Sequence, residues 1–173
     1  MDGFAAHVGR FSDLLRAVPN RDLATMDDVE LARVSEFCAF GFPGVWAPKA
    51  TKVGALFRPK AIPILDGYLA LAFGYAREGF SVGVAARKHA IDRVVRALAL
   101  VIKGQSVTLG VVRSRVEARV PPARFLSDLR LTDIIIWTTQ DDRMERAGKP
   151  RDAWLRASPG EPPTLTEIRW VSV

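Results

Sequence analysis

Apolar residues recur along most of this chain at the three-and-four spacing of helices. Phe4, Val8, Phe11, Leu15 and Val18 keep that spacing up to Pro19-Asn20, which predicts a first helix over 2–17. Thr25, with Asp27, Asp28 and Glu30 behind it, reads as a helix N-terminus whose acids face the positive end of the helix dipole. That helix should run to about Phe40 and stop at Gly41. After a Pro43-Gly44 turn, a short helix is expected from about Pro48 to Phe57. Pro59 and Pro63 should hold the next connector extended, since proline biases the residue before it away from the helical region. A second apolar helix is expected over 64–77, broken by Glu78-Gly79. The most periodic stretch spans about 83–103. Val84, Ile91, Val94, Val95, Leu98, Val101 and Ile102 fall on one face there, with Arg93, Arg96 and Lys103 opposite. Residues 106–118 fit a short helix or a strand, because Val107, Leu109 and Val111 alternate. Pro121-Pro122 opens another segment, and Leu126 to Trp137 reads as a helix with Arg130 and Asp133 one turn apart.

The pattern implies a mainly α fold: one compact helical domain over residues 1–140, long enough for a full core. A polar, proline-rich C-terminal extension over 141–173 should pack on it, with Ile168-Arg169-Trp170-Val171 docking back as a short strand or extended tail. Apolar residues at 49% and charged ones at 25% place the chain among ordinary globular proteins. The runs Ala61–Tyr75 and Val94–Ile102 are too short or too interrupted to span a bilayer, and no signal-peptide pattern opens the chain. A cytoplasmic protein without membrane contact is therefore expected. The single cysteine, Cys38, fits a reducing compartment and excludes an intrachain disulfide or a four-cysteine metal site. His7 and His89 stand apart from each other and from Cys38, and the GxxxxGK[ST] phosphate loop is absent, so neither a metal nor a cofactor is expected.

Charge sharpens the picture. Residues 1–48 carry four Arg/Lys against seven Asp/Glu, residues 49–124 fourteen against four, and residues 125–173 seven against eight. The net charge of +6 is thus concentrated mid-chain, which favours a polyanion such as DNA or RNA as partner. The alternative is a basic protein whose arginines merely solvate helix surfaces.

Within that region the block Phe42–Tyr68 carries the candidate chemistry. The Pro43-Gly44 turn can offer backbone N–H groups to an anion, with cations close by. Gly44, Val45, Lys49, Lys52, Arg58 and Lys60, joined by Arg93 and Arg96, are the candidate nucleic-acid contacts. Asp66 is the only acid between Glu36 and Glu78 and follows Pro63-Ile64-Leu65 directly. An isolated carboxylate on rigid backbone is a candidate catalytic group. It is equally a helix cap or the partner of a nearby arginine. Lys49 and Lys52 read as solvated or reactive, Arg130 and Asp133 as an intrahelical pair or a buried anchor, and the four tryptophans as core or lid residues.

Two families share parts of this block. Pro43-Gly44-Val45 and Pro63-Ile64-Leu65-Asp66-Gly67 resemble the hairpin and the P-I-L-D-G aspartate block of helix-hairpin-helix DNA glycosylases, above all the adenine-excising branch. Ala50-Thr51-Lys52, the run Arg58-Pro59 to Pro63 and Asp66, and Leu129-Arg130 through Asp133 to Trp137 are closer to an uncharacterised bacterial family, the domain of unknown function numbered 6308. That resemblance covers roughly residues 40–140. The glycosylase resemblance implies that Asp66 stabilises positive charge at the sugar or orients a water. It further implies that Lys49 or Lys52 is the nucleophile of bifunctional members, and that the hairpin amides grip a phosphate with help from Arg58 or Lys60. The chain departs from that pattern in having Trp46 for the second hairpin glycine, only about 42 residues before the hairpin, no cysteine quartet, and no recognisable base pocket. The expected function is a helix-hairpin-helix-like nucleic-acid-binding domain. One alternative is a glycosylase-like enzyme cleaving an N-glycosidic bond through Asp66, and a second is a protein-interaction module of a bacterial operon.

Overall fold

The computed structural model describes residues 2–42, 45–80 and 84–146. These form seven α-helices: α1 (Asp2–Ala17), α2 (Asp28–Cys38), α3 (Ala47–Phe57), α4 (Gly67–Ala72), α5 (Val84–Gly104), α6 (Ser106–Glu117) and α7 (Asp128–Arg146). Short 3-10 turns sit at Leu23–Thr25 and Pro121–Phe125. The mainly α reading holds. Among the described residues no strand forms, and Phe42 and Val45 make a lone antiparallel bridge.

Local chemistry explains most helix ends. Asp27 and Glu30 cap each other in a capping box, Glu30 N–H donating to Asp27 Oδ1 (2.9 Å) and Asp27 N–H to Glu30 Oε2 (3.0 Å). The cap therefore falls at Asp27 rather than Thr25, which closes the preceding 3-10 turn. Pro48 lies in the first turn of α3, where its missing N–H leaves no bond unmade.

Two expected helices have different limits. The 64–77 helix is only Gly67–Ala72. Its start is delayed because Leu65 N–H is bonded to the Thr51 hydroxyl (3.2 Å) on α3, holding 64–65 out of a helix. Its end is a Schellman motif: Gly74 has φ 76°, Tyr75 N–H reaches Ala70 O (2.9 Å), and Gly74 N–H reaches Leu71 O (3.1 Å). The last helix starts at Asp128 behind a Ser127 cap and continues past Gln140 to Arg146, across the expected start of the extension at 141. Residues 106–118, open between helix and strand, are helical over Ser106–Glu117. The alternation there is consistent with a helix, since Val107 and Val111 share an exposed face one turn apart while Leu109 points inward to the core. The Ile168–Val171 segment and the rest of 147–173 lie outside the described residues.

The core forms where α2 crosses α5. Leu31, Val34, Phe37 and Cys38 of α2 pack with Ile91, Val94, Val95, Leu98 and Ile102 of α5. α1 covers α2, with Phe11 edge-on to Phe37 at 5.2 Å. α3 approaches α2 closely because Gly54 has no side chain. A Cβ there would overlap the Phe37 ring and lie 3.1 Å from Ile62 Cδ1. α4 packs on α7, and α5 meets α6 at 75° across Gln105. No single helix among the described residues is long and apolar enough to cross a membrane.

Candidate functional site

Residues 58–66 run between α3 and α4 outside any helix, so their backbone polar groups need partners from elsewhere. The rest of the fold supplies them. Leu23 N–H donates to Lys60 O (2.9 Å). Ser127 Oγ donates to Pro59 O (2.8 Å), and Arg130 Nε donates to the same carbonyl (3.2 Å). Arg130 Nη2 donates to Ile62 O. Arg58 Nε, in return, donates to Val18 O (3.3 Å) at the end of α1. α7 thus grips the connector from one side, and the chain after α1 holds it from the other.

That anchoring places Asp66 at the N-terminus of α4. Its Oδ1 accepts the N–H groups of Tyr68 (3.0 Å) and Leu69 (2.9 Å), the geometry of an N-cap. Ile64, Leu69, Ile134 and Trp137 wall a cleft of about 160 Å³ that Asp66 and Asp133 also border. Tyr68 sets its ring edge-on to Trp137 at 5.9 Å, and the Arg77 guanidinium lies 5.0 Å above the Tyr68 ring.

Asp133 sits behind this cleft, 2.9 Å from Arg130 Nη2, with side chains only 12% and 14% exposed respectively. Burial dominates its titration and pushes it up to about 7. The Arg130 charge and the Ile64 N–H act in the opposite direction, and the Asp66 charge adds a smaller upward push. Burial likewise lowers Arg130. Both Asp133 oxygens are closed to solvent, and the Arg130 guanidinium 2.9 Å away is the cation that faces them. Cys38 of α2 feels the charges of the same two residues. Its thiol is driven well above its usual range, chiefly by burial.

A second feature lies on the outer side of the connector. Lys52, Val53, Leu56 and Phe57 of α3 are exposed, as is Lys60 just beyond. The Ser127–Pro59 hydrogen bond brings the turn before α7 alongside, so Phe57 and Phe125 each stand two residues from that tie. Phe125 is 77% exposed, with the Arg124 guanidinium 4.7 Å above its ring. No acid occurs between Glu36 and Asp66, and Asp128 is paired with Arg113.

The sequence-predicted residues divide between these features and the rest of the fold. Lys49, Lys52 and Lys60 belong to the α3 side, all three exposed, and neither Lys49 nor Lys52 lines the cleft that holds Asp66. Val45 N–H donates to Phe42 O (2.8 Å) and Phe42 N–H to Val45 O (2.9 Å), so the Val45 amide is bonded within the turn. Gly44 lies outside the described residues. Trp46 is stacked by Arg87, 5.1 Å away, and Arg87 also donates to Ala39 O (3.3 Å). Arg93 and Arg96 lie on α5, where Arg96 is bonded to Asp92 (3.0 Å) and Asp28 (2.5 Å). Asp133 at the cleft and the pair Phe57 and Phe125 are additions that only the folded chain reveals. The signal for the latter was a cation–aromatic dipeptide, Arg124-Phe125, one residue after Pro121-Pro122.

Together these observations define an all-α protein whose last long helix clamps a proline-rich connector. Beside the clamp are a cationic, aromatic face and a small carboxylate-bearing cleft. The chain belongs to a family of unknown function, the DUF6308 family, whose model matches residues 1–140. No curated protein and no solved structure matches it.

Proposed function

We propose that this is a nucleic-acid-binding protein of the bacterial cytoplasm. In this reading the helix–turn–helix pair α2–α3 acts as a helix-hairpin-helix-like element and presents α3 to a strand of DNA or RNA. The observation that carries it is the pair of exposed phenylalanines, Phe57 and Phe125, set among Lys52, Lys60 and Arg124 with no acid on α3 or the connector before Asp66. Exposed aromatic rings interleaved with cations are the surface that unpaired bases stack on while phosphates meet the charges. The test is fluorescence anisotropy with labelled single-stranded and duplex DNA and with RNA. Binding should favour single strands and fall steeply with salt. Each of Phe57→Ala and Phe125→Ala should cost about 1–3 kcal/mol, and Lys52→Ala should reduce the salt slope by about 0.7. Absence of binding to all three at about 50 mM salt would end the proposal. So would a folded double phenylalanine variant that binds unchanged.

A second reading, an enzyme cleaving an N-glycosidic bond with Asp66 as its carboxylate, is favoured by one observation. Asp66 and Asp133 border the same cleft, and Asp133 titrates near neutrality, where a group can act as general acid or base. Asp66→Asn keeps the cap and removes the charge. It should abolish base release without unfolding the chain, and a wild-type protein that releases no base from DNA, RNA or nucleosides would sink this reading.

A further inference from the structure

Arg87 of α5 is a buried cation that no acid balances among the described residues. It is only 3% exposed, and its Nε is closed to solvent with no hydrogen-bond acceptor. Nη2 donates to the Ala39 carbonyl at a long 3.3 Å, and the guanidinium lies 5.1 Å over the Trp46 ring. Neither partner carries a charge. Arg113 and Arg130, also well covered, each face an aspartate. Burial lowers the titration of Arg87, and no carboxylate acts against it. Buried charges in native proteins are paired as a rule, so an unpaired one marks a place for a counter-charge. The ring beneath it belongs to the residue that starts α3. Trp46 occupies the cap position and makes no side-chain hydrogen bond to the helix end. Pro48 has no N–H, and the Lys49 N–H donates to Trp46 O (2.9 Å). The Ala47 N–H is left without an acceptor among the described residues, although Ala47 is fully buried. An unpaired guanidinium and an unmet N–H therefore flank one side chain, Trp46, at the positive end of an α-helix.

From this arrangement we infer that Arg87 and the first turn of α3 form a site for a terminal phosphate group, a phosphomonoester whose oxygens accept from the guanidinium and the Ala47 N–H. Guanidinium forks and helix N-termini both match the oxygens of a phosphate. Burial selects the kind of phosphate. An internal phosphodiester is flanked on both sides and cannot bring its oxygens to a guanidinium so little exposed. A terminal group, carried on a single bond, can. Trp46 is 37% exposed, so its ring is the side of the site that meets solvent. A small phosphorylated molecule and the phosphorylated end of a nucleic-acid strand present the same group. The aromatic face of the nucleic-acid reading lies at the other end of α3, about 16 Å away. The inference does not rest on that reading and is tested without a strand.

The experiment uses the full chain with phenyl phosphate as probe and dimethyl phosphate, a diester, as control, followed by thermal shift and phosphorus NMR at matched ionic strength. Phenyl phosphate at about ten times its dissociation constant should raise Tm by about 3–6 °C, and dimethyl phosphate should not. Arg87→Met fills similar space without the charge. It should weaken phenyl phosphate binding about tenfold or more, while the Tm of the free protein holds or rises. Arg87→Lys keeps the charge and loses the planar fork, and it should also weaken binding about tenfold. Lys88→Ala, on the exposed neighbour, should change affinity by no more than about twofold. Oligonucleotides with and without a terminal phosphate then separate the sources. A preference of about tenfold for the phosphorylated end assigns the strand, and equal binding assigns the small molecule. The inference is overturned by no response at about 10 mM phenyl phosphate, by an equal response to dimethyl phosphate, or by folded Arg87→Met and Arg87→Lys variants that bind as well as wild type.

Discussion

Replacing Asp133 with asparagine should stabilise this protein above neutral pH, although Asp133 sits 2.9 Å from an arginine. The carboxyl titrates at about 7 in the folded chain and at its ordinary 3.8 when unfolded. Between those values the folded chain holds a proton that the unfolded chain has released. Raising the pH through that window therefore draws the equilibrium toward the unfolded state. At 1.36 kcal/mol per pH unit, roughly 4 kcal/mol of stability present below pH 4 is lost by pH 7. Asparagine has the shape of the neutral acid and cannot ionise, so its stability has no such slope from this position. In urea denaturation at pH 5, 6, 7 and 8, D133N should gain on wild type steadily, the gap widening by about 3 kcal/mol between pH 5 and pH 8. Taking the difference between the two proteins cancels the titration of every other group. If Arg130 instead held Asp133 as a strong ion pair, removing the charge would cost about 3–5 kcal/mol at pH 8, and the gap would have the opposite sign. A gap that stays constant with pH, or a variant that loses ground as pH rises, refutes the reasoning.

Three further outcomes test the packing around the site. Gly54→Ala would drive a methyl group into the Phe37 ring and should lower stability by about 1–2 kcal/mol in chemical denaturation, despite the better helix propensity of alanine. Asp66→Ala should cost about 1 kcal/mol through the lost cap while Asp66→Asn stays near wild type, a contrast that thermal melts resolve. Ser127→Ala removes both the α7 cap and the bond to Pro59 O, so it should cost about 1–2 kcal/mol and speed amide exchange in the connector.

Much of the helical outline was legible in the chain because helix ends are set by neighbours in sequence. The Asp27–Glu30 box, the Pro48 start of α3 and the long apolar stripe of α5 depend only on residues within a turn or two of each other. The same locality made Asp66 readable as a cap and Arg130 with Asp133 as neighbours on one helix face. Tertiary structure decided what spacing cannot reach. Whether Arg130 and Asp133 are a solvated pair or a buried anchor depended on the connector 68 residues earlier, whose Ile62 carbonyl binds Arg130 and whose packing takes the pair out of water. The shortness of α4 followed from a hydroxyl on α3 holding Leu65, and the segments that carry Phe57 and Phe125 are tied together only because Ser127 bonds Pro59. Capping and periodicity are short-range and survive in an isolated segment. Burial, and with it the ionisation of Asp133 and the shape of the cleft, exists only once distant segments exclude water from one another.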